Sequence, residues 1–263
     1  DGPYGPAGDI AIGGAGRFDY LTADGANKRL YVSHGTEVVV IDTATQQITG
    51  RIADTPGVHG IAVAADLGRV FTSNGADNTV IPIGGVAETG QADAGIGRVF
   101  VNLEDVNAID VIDMTTYKVV AQYPVAPAAA PTGMALDAKT HRLFVTGGDA
   151  PTMAMLDTRT GKVVAQGATC SGSDATWIDA SLGRAFASCS DGHITVLTIK
   201  GDTLTPLQTI DTARGARTMT VDMVTHRLYT AAVKYAAADP GARAGARPQA
   251  LPDSFHVLAF GPK

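Results

Sequence analysis

The stretch Arg142-Leu143-Phe144-Val145-Thr146 recurs along the chain in altered form. Each copy has a basic residue, an apolar residue, an aromatic residue and then two small or polar residues. The other five copies start at Arg29, Arg69, Arg98, Arg184 and Arg227, so the steps between copies are 40, 29, 44, 42 and 43 residues. A spacing near forty residues is typical of repeat architectures.

The surroundings of each copy predict four short strands. An Asp lies five residues before the Arg in five copies (Asp24, Asp93, Asp137, Asp179 and Asp222), and Asp66 lies three before it in the sixth. Asp and Gly between two apolar runs favour a tight hairpin turn. A second apolar run ending in Asp follows, as at Asp42, Asp113 and Asp157, and then one more strand. Four antiparallel strands are one blade of a β-propeller, so we predict an all-β propeller with six visible repeats.

The copies resemble the YVTN β-propeller repeat, with Leu30-Tyr31-Val32-Ser33 and Leu143-Phe144-Val145-Thr146 as close variants. The stretches DTPGVHGIA, GRVFTSNGADNTV and RGARTMTVD are similar to an exported bacterial subgroup of that family. The resemblance covers nearly the whole chain. It implies seven blades in the complete molecule and a periplasmic or secreted location. It says little about activity, because propellers have many unrelated functions.

Length and composition predict a single propeller domain over residues 1–263. A net charge of −6 and a sequence pI near 5.4 argue against a nucleic-acid partner. No run of eighteen apolar residues occurs, so we expect no membrane span. The start Asp-Gly-Pro-Tyr reads as a mature or trimmed N-terminus, and we expect a monomer.

Three segments depart from the repeat. Residues 1–8 read as a loose arm before a strand at 9–13, which we expect to share a blade with a strand at 255–260. The short step of 29 residues predicts an irregular or missing segment near residues 81–82. If no segment is missing at this point, the chain has six blades, one of which lacks its outer strand. Residues 234–252 are rich in Ala, Gly and Pro and read as a flexible insertion.

A polar residue stands ten positions before each repeat Arg, at the start of the first strand of each blade. The six are Asp19, His59, Glu88, Thr132, Asp174 and Arg217. The first strand of a propeller blade lines the central channel. We therefore predict that these residues meet at the channel mouth and bind a small ligand or a protein partner. The alternative is that they only hydrogen-bond to neighbouring backbone and to channel water.

Counting across the first hairpin places Asp19 opposite His34, and the same count places Asp174 opposite Cys189. His34, His59, Asp19 and Glu88 could together supply ligands for a divalent metal ion, which is the one cofactor that the sequence suggests. Cys170 and Cys189 belong to one hairpin. They could form a disulfide, remain as free thiols or bind a soft metal.

The sequence contains no serine nucleophile elbow, P-loop or dinucleotide fingerprint. Our leading hypothesis is an exported, non-catalytic propeller that binds at the channel mouth. A metal-dependent enzyme, like the six-bladed lactonases, is the alternative, although the Asn residues typical of those metal sites are missing at this position. A structural scaffold in an envelope complex is the second alternative. The sequence leaves open whether the protein is an enzyme.

Overall fold

The computed structural model describes residues 2–14, 17–64, 69–74, 87–236 and 250–263. The chain divides into two compact units, and each is described here by itself. The first unit comprises Asp1–Tyr4 and Val80–Met219, and the second comprises Gly5–Thr79 and Thr220–Lys263. Among the described residues, no helix is long and apolar enough to cross a membrane.

The described strands form five four-stranded sheets and one two-stranded sheet. The first unit contains three of these sheets, each made of four consecutive strands. The first consists of β8 (Ala87–Asp93), β9 (Arg98–Leu103), β10 (Ala108–Asp113) and β11 (Val119–Pro124). The second consists of β12 (Pro131–Asp137), β13 (Arg142–Gly147), β14 (Thr152–Asp157) and β15 (Val163–Ala168), and the third of β16 (Ser173–Asp179), β17 (Arg184–Cys189), β18 (His193–Ile199) and β19 (Leu204–Asp211).

The second unit contains the remaining sheets. One runs from β2 (Leu21–Asp24) through β3 (Arg29–His34) and β4 (Glu37–Asp42) to β5 (Gln47–Ile52), and a two-stranded sheet pairs β6 (Val58–Ala64) with β7 (Arg69–Asn74). The last sheet has the order β1 (Tyr4–Ala11), β22 (His256–Pro262), β21 (Arg227–Ala232) and β20 (Met219–Asp222), with Tyr4 and Met219 falling in the first unit.

The repeat motif forms the second strand of each sheet, and in β13 it is buried on both of its faces. In β13, Leu143 packs with Phe100 and Ile109 of the preceding sheet. The neighbouring Phe144 packs with Ala185 and Leu197 of the following sheet. Because successive side chains of a strand point to opposite faces, Leu143 and Phe144 join this sheet to both of its neighbours. This explains why the motif lacks the alternation of a half-exposed strand.

The aspartates of the repeat build the turns. Asp137 ends β12, and its Oδ1 accepts a hydrogen bond of 3.1 Å from the backbone amide of Lys139. Asp157 ends β14, and its Oδ1 accepts from the amides of Arg159 and Thr160, each at 3.0 Å. An Asp that bonds to the backbone two or three residues further on is a turn-forming device. The predicted hairpins at Asp24, Asp93, Asp137, Asp179 and Asp222 are therefore confirmed, whereas Asp66 lies outside the described residues.

In two sheets the repeat Arg forms an ion pair with the Asp that ends the third strand. Arg142 lies opposite Asp157 in the register of β13 and β14, and its Nη1 is 2.8 Å from Asp157 Oδ2. Arg98 Nη1 lies 2.5 Å from Asp113 Oδ2 in the same way. Burial alone would raise the pKa of Asp157, but the amides of Arg159 and Thr160, with Arg142, lower this pKa below its usual value.

The N-terminal residues are more ordered than predicted. The expectation of a loose arm over residues 1–8 is wrong, because β1 begins at Tyr4 and ends at Ala11. The ring of Tyr4 is buried and packs edge-on against Phe186 at 5.6 Å. The first and last strands do share a sheet, as predicted, since β1 pairs with β22.

The segment near residues 81–82 lies outside the described residues, so its predicted irregularity stays a prediction. The sheet that precedes it is the two-stranded one of β6 and β7. Only the ends of the predicted insertion at 234–252 are described. Tyr235 bridges to Ala250, and the amide of Leu251 donates to the carbonyl of Lys234 at 2.7 Å.

Candidate functional site

The polar residues that stand ten positions before each repeat Arg are called the strand-start residues here. Four of them are the second residue of a first strand, and each lies within a one-residue β-bulge. The bulges fall between Val58 and Ile61, Ala87 and Gly90, Pro131 and Gly133, and Ser173 and Ala175. A bulge adds a residue that lacks an opposite partner and redirects its side chain. The sheets thus present His59, Glu88, Thr132 and Asp174 at equivalent positions.

The bulge also corrects one sequence-based pairing. Ser173, not Asp174, lies opposite Cys189, because the extra residue shifts the register before Ala175 pairs with Ser188. A count through an ideal hairpin cannot show this shift, since it assumes one residue opposite each residue.

The last position of the repeat motif holds these strand starts in place. Ser33 Oγ accepts from the amide of Asp19 at 2.8 Å, and Ser73 Oγ accepts from the amide of Gly60 at 2.8 Å. In the first unit, Thr146 Oγ1 lies 2.6 Å from Ser173 Oγ in the next sheet. The sequence analysis missed this role. The recurrent Ser, Thr or Asn at this position was the signal that could have revealed it.

In the second unit, two strand-start residues of neighbouring sheets form a pair. Asp19 Oδ2 lies 2.6 Å from His59 Nδ1. The side chain of His59 is 58% exposed and that of Asp19 is 25% exposed. The pair therefore offers an imidazole face and a carboxylate edge to an approaching molecule.

The first unit contains a second pair, formed by an arginine and a carboxylate. Arg217 Nε lies 3.0 Å from Asp174 Oδ2, and the Arg217 side chain is 58% exposed.

Thr132 differs from Asp174 and Arg217, since it is buried and its Oγ1 donates to the Ser173 carbonyl at 2.7 Å. Glu88 is exposed on β8. The first unit thus brings Asp174 and Arg217 together, whereas Thr132 serves the packing of neighbouring sheets.

His34 has a structural environment of its own in the second unit. Continuing the β2–β3 register, in which Leu21 lies opposite Val32, brings Asp19 opposite His34, although the Asp19 carboxylate contacts His59. The His34 ring is buried and stacks on Phe255 with centroids 4.9 Å apart. Its Nδ1 lies 3.3 Å from Glu37 Oε1. Burial tends to raise the pKa of Glu37, but hydrogen bonds from His34 and Arg51 lower this pKa overall.

Of the four residues considered as a metal set, three lie in the second unit, and they are not gathered into one cluster. Asp19 and His59 are adjacent, whereas His34 lies with Glu37. A metal site that includes Glu88, which lies in the first unit, stays a prediction. In the described ranges, the one cluster of three side chains spaced like metal ligands is Cys170, Cys189 and Asp191. Its two sulfurs are bonded to each other, which removes the thiolates that a metal would need.

The disulfide between Cys170 and Cys189 is confirmed. Their Cα atoms are 5.8 Å apart, within the usual range for such a bond. The bond ties the segment that precedes β16 to the end of β17, where Cys189 is fully buried. It closes the strand-start end of this hairpin, close in sequence to Asp174.

Comparison with known proteins gives the fold alone. No protein-family model matches the chain, and no curated protein matches it by sequence. Among solved structures, the chain is similar to the WD40 beta propeller domain of Doa1, with a TM-score of 0.58 and 12% identity. The match covers 95% of this chain and 80% of that chain. The chain has a β-propeller fold. This likeness does not extend to what the other propeller binds, because sequence identity is too low.

Proposed function

We propose that this propeller is a non-catalytic binding protein whose ligand contacts the strand-start residues. One observation carries the proposal. A bulge at the same register in successive sheets presents partly exposed, charged side chains, which pair between neighbouring sheets as Asp19 with His59 and Asp174 with Arg217.

Stability alone accounts poorly for these pairs. Ion pairs between exposed side chains contribute roughly 0–1 kcal/mol each, because water screens them. Buried Ser and Thr hydroxyls such as Ser33 and Thr146 already hold the strand starts in place. The exposed His59 and Arg217 can therefore exchange solvent contacts for contacts with a ligand. An Arg guanidinium suits carboxylates and phosphates, and an imidazole can donate or accept a proton.

The finer features of the proposal come from the sequence. We place the protein among YVTN-type propellers, as a single domain that acts as a monomer in the periplasm or outside the cell. The disulfide supports an oxidising compartment, where such bonds persist. A small molecule or an envelope protein is the proposed partner.

A thermal-shift screen of small metabolites tests the proposal. A molecule that binds only the folded protein stabilises it by about 2.7 kcal/mol at a hundred times its Kd. We expect a hit whose shift disappears in Asp174→Asn with Arg217→Gln, or in His59→Ala. Lys162→Gln is the control, because Lys162 is an exposed turn residue outside the strand starts.

Two results would overturn the proposal. The first is a screen in which no compound shifts the melting temperature, and the second is a hit that every strand-start variant retains. Elemental analysis of protein purified without chelator distinguishes a metal-dependent enzyme from a simple binding protein. A stoichiometric metal that is lost in His59→Ala would favour a metal-dependent hydrolase over a simple binding protein.

A further inference from the structure

A cleft of about 770 Å³ opens in the second unit, away from the strand-start residues. It lies where the turn ends of two sheets meet the terminal strands β1 and β22. Two hydrogen bonds lie beside it, from Arg227 Nη1 to the Thr43 carbonyl at 3.3 Å and from Gln46 Nε2 to the Ala7 carbonyl at 2.7 Å. Strand β2 runs from the Asp19 end to the turn at Gly25, so this cleft and the Asp19–His59 pair lie at opposite ends of the strand.

The cleft is cationic, although the whole chain carries a net charge of −6. Lys28, Arg227 and Lys263 line it, and no carboxylate side chain is among its lining residues. Across the described part of the chain, none of these three side chains forms an ion pair with an Asp or Glu. Three cations from separate segments therefore face one space without an ion-pair partner among the described residues, although Lys28 is near enough to Asp42 to help lower the pKa of that carboxyl.

The nearby carboxylates are occupied by backbone amides. Asp222 is fully buried, and its Oδ1 accepts from the amides of Val224 and Thr225. Asp42 Oδ1 accepts from the amides of Ala44 and Thr45, and these bonds lower the pKa of Asp42. Asp24 caps the short 3₁₀ turn at Asn27. These acids lie behind the turns that form the wall of the cleft, so they moderate its positive charge without filling it.

Arg227 shows why the charge is uncompensated. It occupies the repeat position at which Arg98 and Arg142 bind the Asp that ends the third strand. In the terminal sheet, Leu228 pairs with Phe260, and the next step of this register places Gly261 beside Arg227. A Cβ atom on Gly261 would lie 3.5 Å from Arg227 Cγ. Glycine thus stands where the sheets of Arg98 and Arg142 supply a carboxylate.

We propose that the cleft is a binding site for a small molecule with a phosphate group, whose oxygens take the place of the missing Asp carboxylate. An Arg guanidinium binds phosphate through two parallel hydrogen bonds, and Lys supplies further positive charge. A phosphate can meet cations from several directions because its oxygens are spread around one centre. This site is separate from the strand-start residues and does not depend on them.

Calorimetric titration of the full chain with inorganic pyrophosphate tests the site, with citrate as a carboxylate probe. We expect saturable pyrophosphate binding that weakens as NaCl is raised. Arg227→Gln should weaken it by about tenfold or more, since it removes a charge-assisted hydrogen bond. Gly261→Asp should weaken it similarly, because it restores an internal carboxylate beside Arg227 in a position with room for a side chain.

Gly148→Asp is the matched control, because it adds the same carboxylate at an exposed glycine with open space around it. Circular dichroism and melting curves establish that each variant is folded. The proposal is supported if both cleft variants lose affinity while the control keeps it. Absence of saturable pyrophosphate binding, binding that is unchanged in both cleft variants, or binding of citrate alone would each overturn the phosphate assignment.

Discussion

Arg142 and Arg227 occupy the same position of the repeat in two different sheets, yet their surroundings differ. Arg142 is held by two carboxylates, those of Asp157 and Asp202, each at 2.8 Å. Arg227 has Gly261 beside it and faces a cleft. A repeat position that closes the third strand of one sheet can thus become available for binding in another when a single facing residue changes.

The neighbouring aromatic position shows what the two sheets share. Phe144 and Tyr229 follow their arginines by two residues, and both rings are almost fully buried. The aromatic position therefore serves packing in both sheets, whereas the Arg position forms ion pairs in one sheet and donates to the Thr43 carbonyl beside the cleft in the other.

The largest expected effect concerns this shared position. Phe144→Ala and Tyr229→Ala should each lower the free energy of unfolding by about 3–5 kcal/mol, because each leaves a cavity in the core. Urea unfolding followed by circular dichroism measures the loss, and Phe144→Leu should cost much less. A cost below about 1 kcal/mol at either position would show that the two aromatics do not play the same role.

The two arginines should differ in how much they contribute to the free energy of unfolding, whereas the two aromatic residues should contribute about equally. Arg142→Gln should lower the free energy of unfolding by about 1 kcal/mol, since it breaks two ion pairs that are only partly exposed. Arg227→Gln should cost about 0.5 kcal/mol or less, because no carboxylate partner is lost. Equal losses in the same urea experiment would contradict the difference between the two sheets.

The smallest effect is a dependence of stability on pH. The folded pKa of Asp157 lies below its unfolded value of about 3.9, so its contribution is present above pH ~4 and is lost as the pH falls through the folded pKa. Asp157→Asn should lower stability at pH 7 and flatten its decline below pH 5. The control is Asp211→Asn, because the Asp211 side chain is 96% exposed. If the stability of Asp157→Asn fell with pH as steeply as that of the original protein, Asp157 would not contribute to the loss of stability in acid.

The repeat predicted the hairpins well because local chemistry decides them. The Asp137 and Asp157 turns depend on bonds to residues two or three positions away, which the sequence displays directly. The aromatic motif likewise indicated the buried second strand of each sheet.

Features that depend on distant partners were harder to predict. Strand β1 has the composition of a loop, with two Gly residues and a Pro among its first five residues, and it forms because β22 supplies hydrogen bonds. The bulge at Asp174 lies beside a contact with another sheet, since Ser173 Oγ is 2.6 Å from Thr146 Oγ1 of the preceding sheet. The strand-start register was visible in the sequence. The pairing of Asp174 with Arg217 and of Asp19 with His59 could be recognised only from the structure.

The sharing of one sheet by β1 and β22 has a consequence for the order of folding. A growing chain leaves the ribosome N-terminus first, so β1 emerges long before its hydrogen-bonding partner exists. The four-stranded sheets of consecutive strands can form as they are made, but this sheet has to wait for nearly the whole chain. Closing such a long loop is a slow step with a high entropic cost. The edge of β21 that pairs with β22 therefore stays open until the last residues have been synthesised.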